Sequence, residues 1–502
     1  MRRVFGHRFR RTTLVAVFCA AVLVGIGLAR VVHFELSWLL LAGLFLLCTA
    51  RQQRMAVLLL AVLAGVCLGG WQGTRYMDML AQYASYANQT VTLVGRAAGD
   101  GTYGRQSQLT FDLQDVEVAG GGEKLVGVVG VSGFGENVVF RGDTVQVIGK
   151  LRKGSGSHQG WMSFAQISLV ERETSPIEKL RRQFGAGMMT ALPEPMASFG
   201  MGILIGQRST LPDEVHQDLL MVGLVHIIAV SGYNLTIILR AGMKLFGNRS
   251  KYQTMLFSIS LIIVFLLLTG SSASIVRASI VSGLSIAAWY YGRAFRPVAL
   301  ILLAAVITSL ANPLYVWCDL GWYLSFLAFY GVLVLAPQIR YRFVPQRFRD
   351  NVLLGIALES ICAEIMTLPL VLYIFGQMSH VSLLANVVIA AFVPIAMLLT
   401  VIAGLAGMLL MPIAGWIAWP AVLVLTYMLD MARLLASIPH VFAEGIGFPF
   451  VYMVAGYLLV LAFNLLVYSR LRANRAIITA VHEEHTLLRL GPERSEKAAY
   501  SR

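Results

Sequence analysis

Apolar residues fall in long uncharged runs separated by short polar breaks, and one stretch in the first half of the chain abandons that rhythm. The runs cover residues 12–29, 36–50, 55–71, 219–240, 254–270, 274–292, 298–312, 320–337, 352–375, 381–410, 413–436 and 448–469. Most approach or reach the roughly 17–25 residues with which a helix crosses about 30 Å of hydrocarbon. The pattern predicts a polytopic α-helical membrane protein of about twelve spans.

Between residues 72 and 175 the period changes. Charge returns, glycine clusters at Gly120-Gly121-Gly122, and apolar positions alternate: Leu109, Phe111 and Leu113, then Val145 and Val147 after the turn Arg141-Gly142-Asp143. Period-two alternation between Gly/Asp turns predicts about five short half-buried strands, with a small barrel as their natural closure. Residues 176–211 interleave Lys179, Arg181 and Arg182 with apolar positions and are interrupted by Pro193 and Pro195. They predict an amphipathic helix on the outer interface, followed by a partly inserted segment at 200–205. The organisation expected is three spans in 1–71, an extracytoplasmic β domain in 72–175, an interfacial segment in 176–211, the remaining spans in 212–469 and a cytoplasmic polar tail in 470–502.

Composition closes off the soluble alternative: of 502 residues, 57% are hydrophobic and only 13% charged, with a mean hydropathy of +0.71. The net charge of +14 invites a nucleic-acid reading, but topology accounts for most of it. Lys and Arg concentrate in the amino-terminal tail, at Arg51 and Arg54, in 240–251, 293–296 and 340–349, and in the carboxy-terminal tail, while the short loops near 271–273, 313–319, 376–380 and 438–447 hold none. This asymmetry predicts both termini in the cytoplasm and the β domain outside. The basic start followed by 12–29 looks like a signal peptide; more spans follow at once and Leu28-Ala29-Arg30 is a poor cleavage site, so a retained anchor is expected.

The five cysteines, Cys19, Cys48, Cys67, Cys318 and Cys362, sit in or beside apolar runs and offer no disulfide framework or metal spacing. His482-Glu483-Glu484-His485 lacks the zincin pattern, and no Walker or Rossmann glycine loop occurs, so neither a metal nor a cofactor is expected.

Polarity inside the spans is densest at Gly223, His226, Ser231, Gly232 and Asn234. On one continuous helix, Gly223, His226, Ser231 and Asn234 fall within about 140° of one another. Such groups either line a polar path or hold helices together. Ser231 as a nucleophile activated by His226 is rejected, because the five-residue offset turns the side chains apart and the flanks are not G-x-S-x-G. Glu359 and Glu364 stand out as carboxylates deep in a span, Glu364 about 18 Å from its cytoplasmic end. Arg277 lies three residues into its span, with snorkelling outward as its plainer role, and Asp319 stands at a helix start, where it suits an N-cap.

These residues recur within larger motifs. Gly202-Ile203-Leu204-Ile205-Gly206-Gln207-Arg208-Ser209 with His226-Ile227-Ile228-Ala229-Val230-Ser231-Gly232 resembles the signature of the ComEC competence family. Thr269-Gly270 through Ser274 to Arg277-Ala278, Asn312-Pro313 with Asp319-Leu320-Gly321-Trp322-Tyr323-Leu324-Ser325-Phe326, and Thr367-Leu368-Pro369 with Phe375-Gly376 and Asn386 resemble its further motifs in the same order. The β region, with Gly142-Asp143 through Gly149 to Leu151, is similar to that family's amino-terminal OB-like barrel.

The resemblance implies a channel that carries single-stranded DNA through the cytoplasmic membrane in natural transformation. Its partners would be single-stranded DNA, membrane lipid, a DNA receptor outside and a cytosolic helicase or ATPase inside. His226, Ser231, Asn234, Arg277 and Ser325 are the expected path; Asp319 and Glu364 are expected to be structural or paired. Lys150, Arg152, Lys153 and Trp161, around the glycine-rich turn 154–160, are the expected DNA-binding loop, with a solvated hairpin as the alternative. The chain departs from the family pattern at Tyr323 and Glu364, where glutamine is common, and at Asn234, where histidine is frequent. It also has no His-x-His-x-Asp-His motif of the metallo-β-lactamase-like domain many members carry, so no nuclease or other enzymatic activity is expected. The alternatives are a secondary transporter of a small solute, with Glu364 and His226 as the titrating pair, and a purely structural scaffold.

Overall fold

Two uncharged helices, Arg11–Leu28 and Met55–Ser85, pack along a line of glycines. A Cβ on Gly69 would lie 2.0 Å from the Val22 carbonyl oxygen, and one on Gly25 would lie 2.2 Å from that of Val66. Only glycine lets two backbones approach so closely, and in lipid that van der Waals contact replaces the missing hydrophobic drive. The second helix continues past residue 71 to Ser85 and delivers Tyr83 into the core of a β-sheet, where its hydroxyl donates to the Val126 carbonyl at 3.0 Å.

This computed structural model describes residues 11–35, 38 and 55–472, except 104–107, 120–121, 123, 136–137, 155, 208–210, 229–231, 246–249, 271, 293–295 and 350. Most of the run expected at 36–50, residues Arg208, Ser209 and Ser231, and the tail beyond 472 lie outside the described residues. The chain divides into two compact units, Met1–Glu178 with Val298–Tyr323, and Lys179–Pro297 with Leu324–Arg502.

In the first unit the alternation becomes strands β1 (Thr90–Ala97), β2 (Thr102–Tyr103), β3 (Leu109–Val118), β4 (Lys124–Leu125), β5 (Val129–Phe134), β6 (Thr144–Lys153) and β7 (Gly160–Glu171). β1 pairs antiparallel with both β3 and β6, β6 with β7 and β3 with β5, while β5 and β7 run parallel. The five long strands therefore close into a ring around Leu93, Leu113, Val131, Val147, Leu151 and Met162. Phe164 is an inserted residue in β7: its φ is +55°, the register shifts on both sides, and its ring is 70% exposed. The turn before β6 is locked by Asp143, wholly buried, which accepts from Phe140 N and Glu173 N at 3.0 Å and from Arg172 at 3.2 Å. Arg141 of the same turn pairs with Glu178 at 3.3 Å.

The second unit is helical. Met196–Ile205 is apolar on every side, and everything after Met196 is buried. Residues 200–205, expected as a partly inserted segment, form the second half of this central strut, and a helix without a polar face has to be covered all round. Gly200 of this strut meets Thr400 and Met188, and a Cβ on Gly407 would sit 1.9 Å from the Gly187 carbonyl, so Pro176–Ala191 and Val393–Leu409 also touch backbone to backbone.

Among the described residues nine helices are long and apolar enough to cross a membrane. Of the other expected spans, 298–312 forms the shorter helix Pro297–Ala311, and 219–240 is not one helix. Its described residues run as Asp213–Met221, a turn, and then Val225–Ile228 and Gly232–Leu245 on either side of the undescribed 229–231. The span Leu320–Phe343 contains a π-helical turn at Gly331–Leu335, beside which a Cβ on Gly331 would meet the Cys362 carbonyl at 2.5 Å.

Candidate functional site

The break after Met221 places the first polar group. Gly223 has φ +77°, a conformation that favours glycine, and a Cβ there would lie 2.9 Å from that of Ser382 and 3.4 Å from that of Ser379. The turn is thus pressed against the start of helix Ser382–Val388. His226, one short helical turn later, sets Nδ1 3.2 Å from the Gly223 carbonyl oxygen and has the Asn386 side chain as a second partner. Ser382 in turn donates to Glu364 on helix Val352–Phe375. His226, Asn386, Ser382 and Glu364 therefore form two linked polar contacts around one glycine turn.

Asn234 goes elsewhere. It is buried and donates from Nδ2 to the Ile203 carbonyl at 2.9 Å, satisfying an acceptor in the last turn of the central strut. His226 lies on Val225–Ile228 and Asn234 on Gly232–Leu245, each with its own partner, and residues 229–231 between these helices lie outside the described residues.

A further contact joins Arg277 and Ser325. Arg277, on Ala273–Tyr290, is 3% exposed and donates from Nη2 to the Ser325 hydroxyl at 3.1 Å. Burial of this guanidinium replaces the outward snorkelling considered for it. Phe329, one turn beyond Ser325, has its ring edge 3.4 Å from where a Cβ on Gly232 would lie. Asp319 accepts from the Trp322 N–H at 3.1 Å, the geometry of an N-cap. Ser231 falls outside the described residues.

On the sheet, Lys150, Arg152 and Lys153 belong to β6 and Trp161 to β7, so they are strand residues and not a loop. Arg152 stands opposite Trp161, Lys150 opposite Ser163 and Lys153 opposite Gly160. The Trp161 ring covers Gly130, where a Cβ would come within 2.1 Å of it. His158 meets that ring edge-on at 5.5 Å and holds Asp112 at 2.8 Å. The three basic residues are exposed beside this fixed aromatic face.

Sequence reasoning missed one group. Asp430 and Arg433, both on Ala414–Ala436, line a cavity of about 160 Å³ with Asp218, Thr426 and apolar neighbours. Arg433 lies 3.8 Å from Asp218. Burial pushes the Asp218 carboxyl above its ordinary range; Arg433 opposes this and the like charge of Glu214 adds to it. The available signal was a carboxylate and an arginine three residues apart inside an apolar run.

Comparison with known proteins gives these contacts a context. The competence protein family matches residues 203–471, which hold His226, Asn234, Arg277, Ser325, Glu364 and Asn386. ComE operon protein 3 of Bacillus subtilis (strain 168) is 27% identical over 246 residues, which is 48% of this chain and 30% of that protein's length. The match thus spans under a third of that relative. No solved structure matches the chain. The family match extends over more than half of the 502 residues, and the chain belongs to the competence protein family, that of ComEC.

Proposed function

We propose that this protein is a membrane channel for single-stranded DNA, acting in uptake across the cytoplasmic membrane during transformation. The observation that carries the reading is Arg277. A buried cation in a membrane-spanning helix, held by a hydroxyl from another span, has the sign a polyanion needs, and both residues stand in family motifs. In the conformation described, His226, Ser382, Glu364, Asn234, Arg277 and Ser325 all have protein partners, so conduction requires the Arg277–Ser325 contact to part and the strand's phosphates to replace it. Glu364 is kept off the path by Ser382. The process has no chemical step.

The ring of β1, β3, β5, β7 and β6, with its parallel β5–β7 pair, is read as an OB-like barrel outside the membrane. Trp161 flanked by Arg152 and Lys150 offers a base a stacking face and a phosphate a partner. Both termini are assigned to the cytoplasm from the arginine distribution, with a DNA receptor outside and a helicase or ATPase inside supplying the energy. Purified protein in liposomes should admit labelled single-stranded DNA and exclude duplex of equal length; equal exclusion of both would reject the channel.

The His226–Asn386 and Ser382–Glu364 contacts favour a second reading, a secondary transporter of a small solute with titrating groups at its centre. Uptake of amino acids or ions by the same liposomes, without DNA import, would establish it.

A further inference from the structure

The helix that presents Ser325 ends in an unusual sequence. From residue 340 it reads Arg340-Tyr341-Arg342-Phe343-Val344-Pro345-Gln346-Arg347-Phe348-Arg349, four arginines interleaved with three aromatics. Helix Ala336–Phe343 stops ahead of Pro345, which cannot donate a backbone hydrogen bond, and a 3-10 turn Gln346–Phe348 follows. The alternation becomes a set of guanidinium–ring pairs. Arg347 lies 4.6 Å from the Phe348 ring centre, Arg342 5.5 Å from that of Phe343 and Arg349 5.1 Å from that of Tyr341.

Arg349 serves the turn itself. It donates from Nη2 to the Tyr341 carbonyl at 2.8 Å and from Nε to the Val344 carbonyl at 3.1 Å, bracing the chain on both sides of the helix end. Arg342 and Arg347 are exposed, and among the described residues no carboxylate pairs with either. The rings are open as well: Phe343 is 56% and Phe348 44% exposed. Phe343 also stacks on Phe463 at 6.3 Å, which fixes its plane.

The positive-inside rule explains arginines at a cytoplasmic helix end. It does not explain guanidinium groups set beside rings in a turn held rigid by a third arginine. A lipid surface would pair its headgroups with the arginines and take the rings into the bilayer edge, and would need no turn of fixed geometry. An unpaired nucleic-acid strand uses both, since its phosphates pair with guanidinium groups and its bases stack on aromatic rings of any sequence context.

We propose that the Arg342–Phe348 turn is a second contact site for single-stranded nucleic acid, on the cytoplasmic end of the span that carries Ser325. Bases stack on Phe343 and Phe348, and phosphates meet Arg342 and Arg347. The inference rests on the channel reading, for which it supplies an exit platform.

The test uses the full chain in detergent with a fluorescent oligo-dT probe, and the variants Phe348→Leu, Arg342→Gln with Arg347→Gln, and Trp161→Leu. Phe348→Leu is expected to weaken binding about tenfold, by loss of one stacked base. The double arginine variant is expected to reduce the slope of log affinity against log salt by about 1.4, two phosphates at about 0.7 each. Photocrosslinking of 4-thio-dT to the unaltered protein is expected to label the 340–349 peptide, a readout that needs no variant to fold. Crosslinks at the β domain alone, with Phe348→Leu and the arginine variant binding dT like the parent, would overturn the exit site and leave the channel reading standing. Variants that bind dT normally but lose affinity only for phosphatidylglycerol vesicles would make the turn a lipid anchor and equally overturn it. A parent protein that binds no oligo-dT would reject both readings.

Discussion

Arg277 is the residue on which most depends, because a guanidinium sealed in a spanning helix is costly unless its donors are used. Arg277→Gln is expected to lower transformation at least about tenfold at unchanged membrane abundance, and Arg277→Lys to restore only part of it, since an ammonium lacks the planar fork. Glu364→Gln should behave oppositely. The amide oxygen can still accept from Ser382, so uptake is expected to stay within about threefold of the parent, and abolition of uptake would place the carboxylate in the path. Asp143→Ala leaves three buried or half-buried donors without their acceptor and is expected to cost the β domain about 3 kcal/mol, read as faster proteolysis between residues 90 and 171. Arg277 and Glu364 were legible in the sequence as polar groups in an apolar setting, and Asp143 as part of a turn. Their partners were not, since Ser382 and Asn386 lie far along the chain from Glu364 and His226, and no spacing rule links them.

At the scale of elements, alternation and run length carried the reading well. The strands around Leu109, Phe111 and Leu113 and around Val145 and Val147 stand where period two put them, because each alternate residue is buried in one core. The hidden features are those set by tertiary contact. Nothing in Val222-Gly223-Leu224 announces a left-handed turn until Ser382 presses on it, and nothing in 196–205 announces which neighbours cover the strut. Two helices meeting at Gly187 and Gly407 impose a sharper requirement. Gly407→Val is expected to push them apart and to reduce the folded, detergent-extractable protein several-fold, measured by fluorescence-detected size exclusion, whereas the same change at Gly283, with open space around it, should be tolerated.

For the whole molecule, the described residues combine a closed sheet with helices apolar enough for a bilayer, and the sequence clusters its Lys and Arg in a subset of the segments between apolar runs. If nucleic acid is the cargo, binding by the intact protein must weaken steeply with ionic strength, because phosphate contacts release counterions; a flat salt response in a filter-retention assay would count against it. The π-helical turn at Gly331–Leu335 has a consequence for such a machine. It stores one surplus residue within a continuous span. Moving that surplus along the rod would swivel the intervening stretch by about 100° while its backbone bonds re-form one place on. Ser325 lies on the amino-terminal side of this slack, so a ratchet-like twist can carry it off Arg277 and back without unwinding either end of the span.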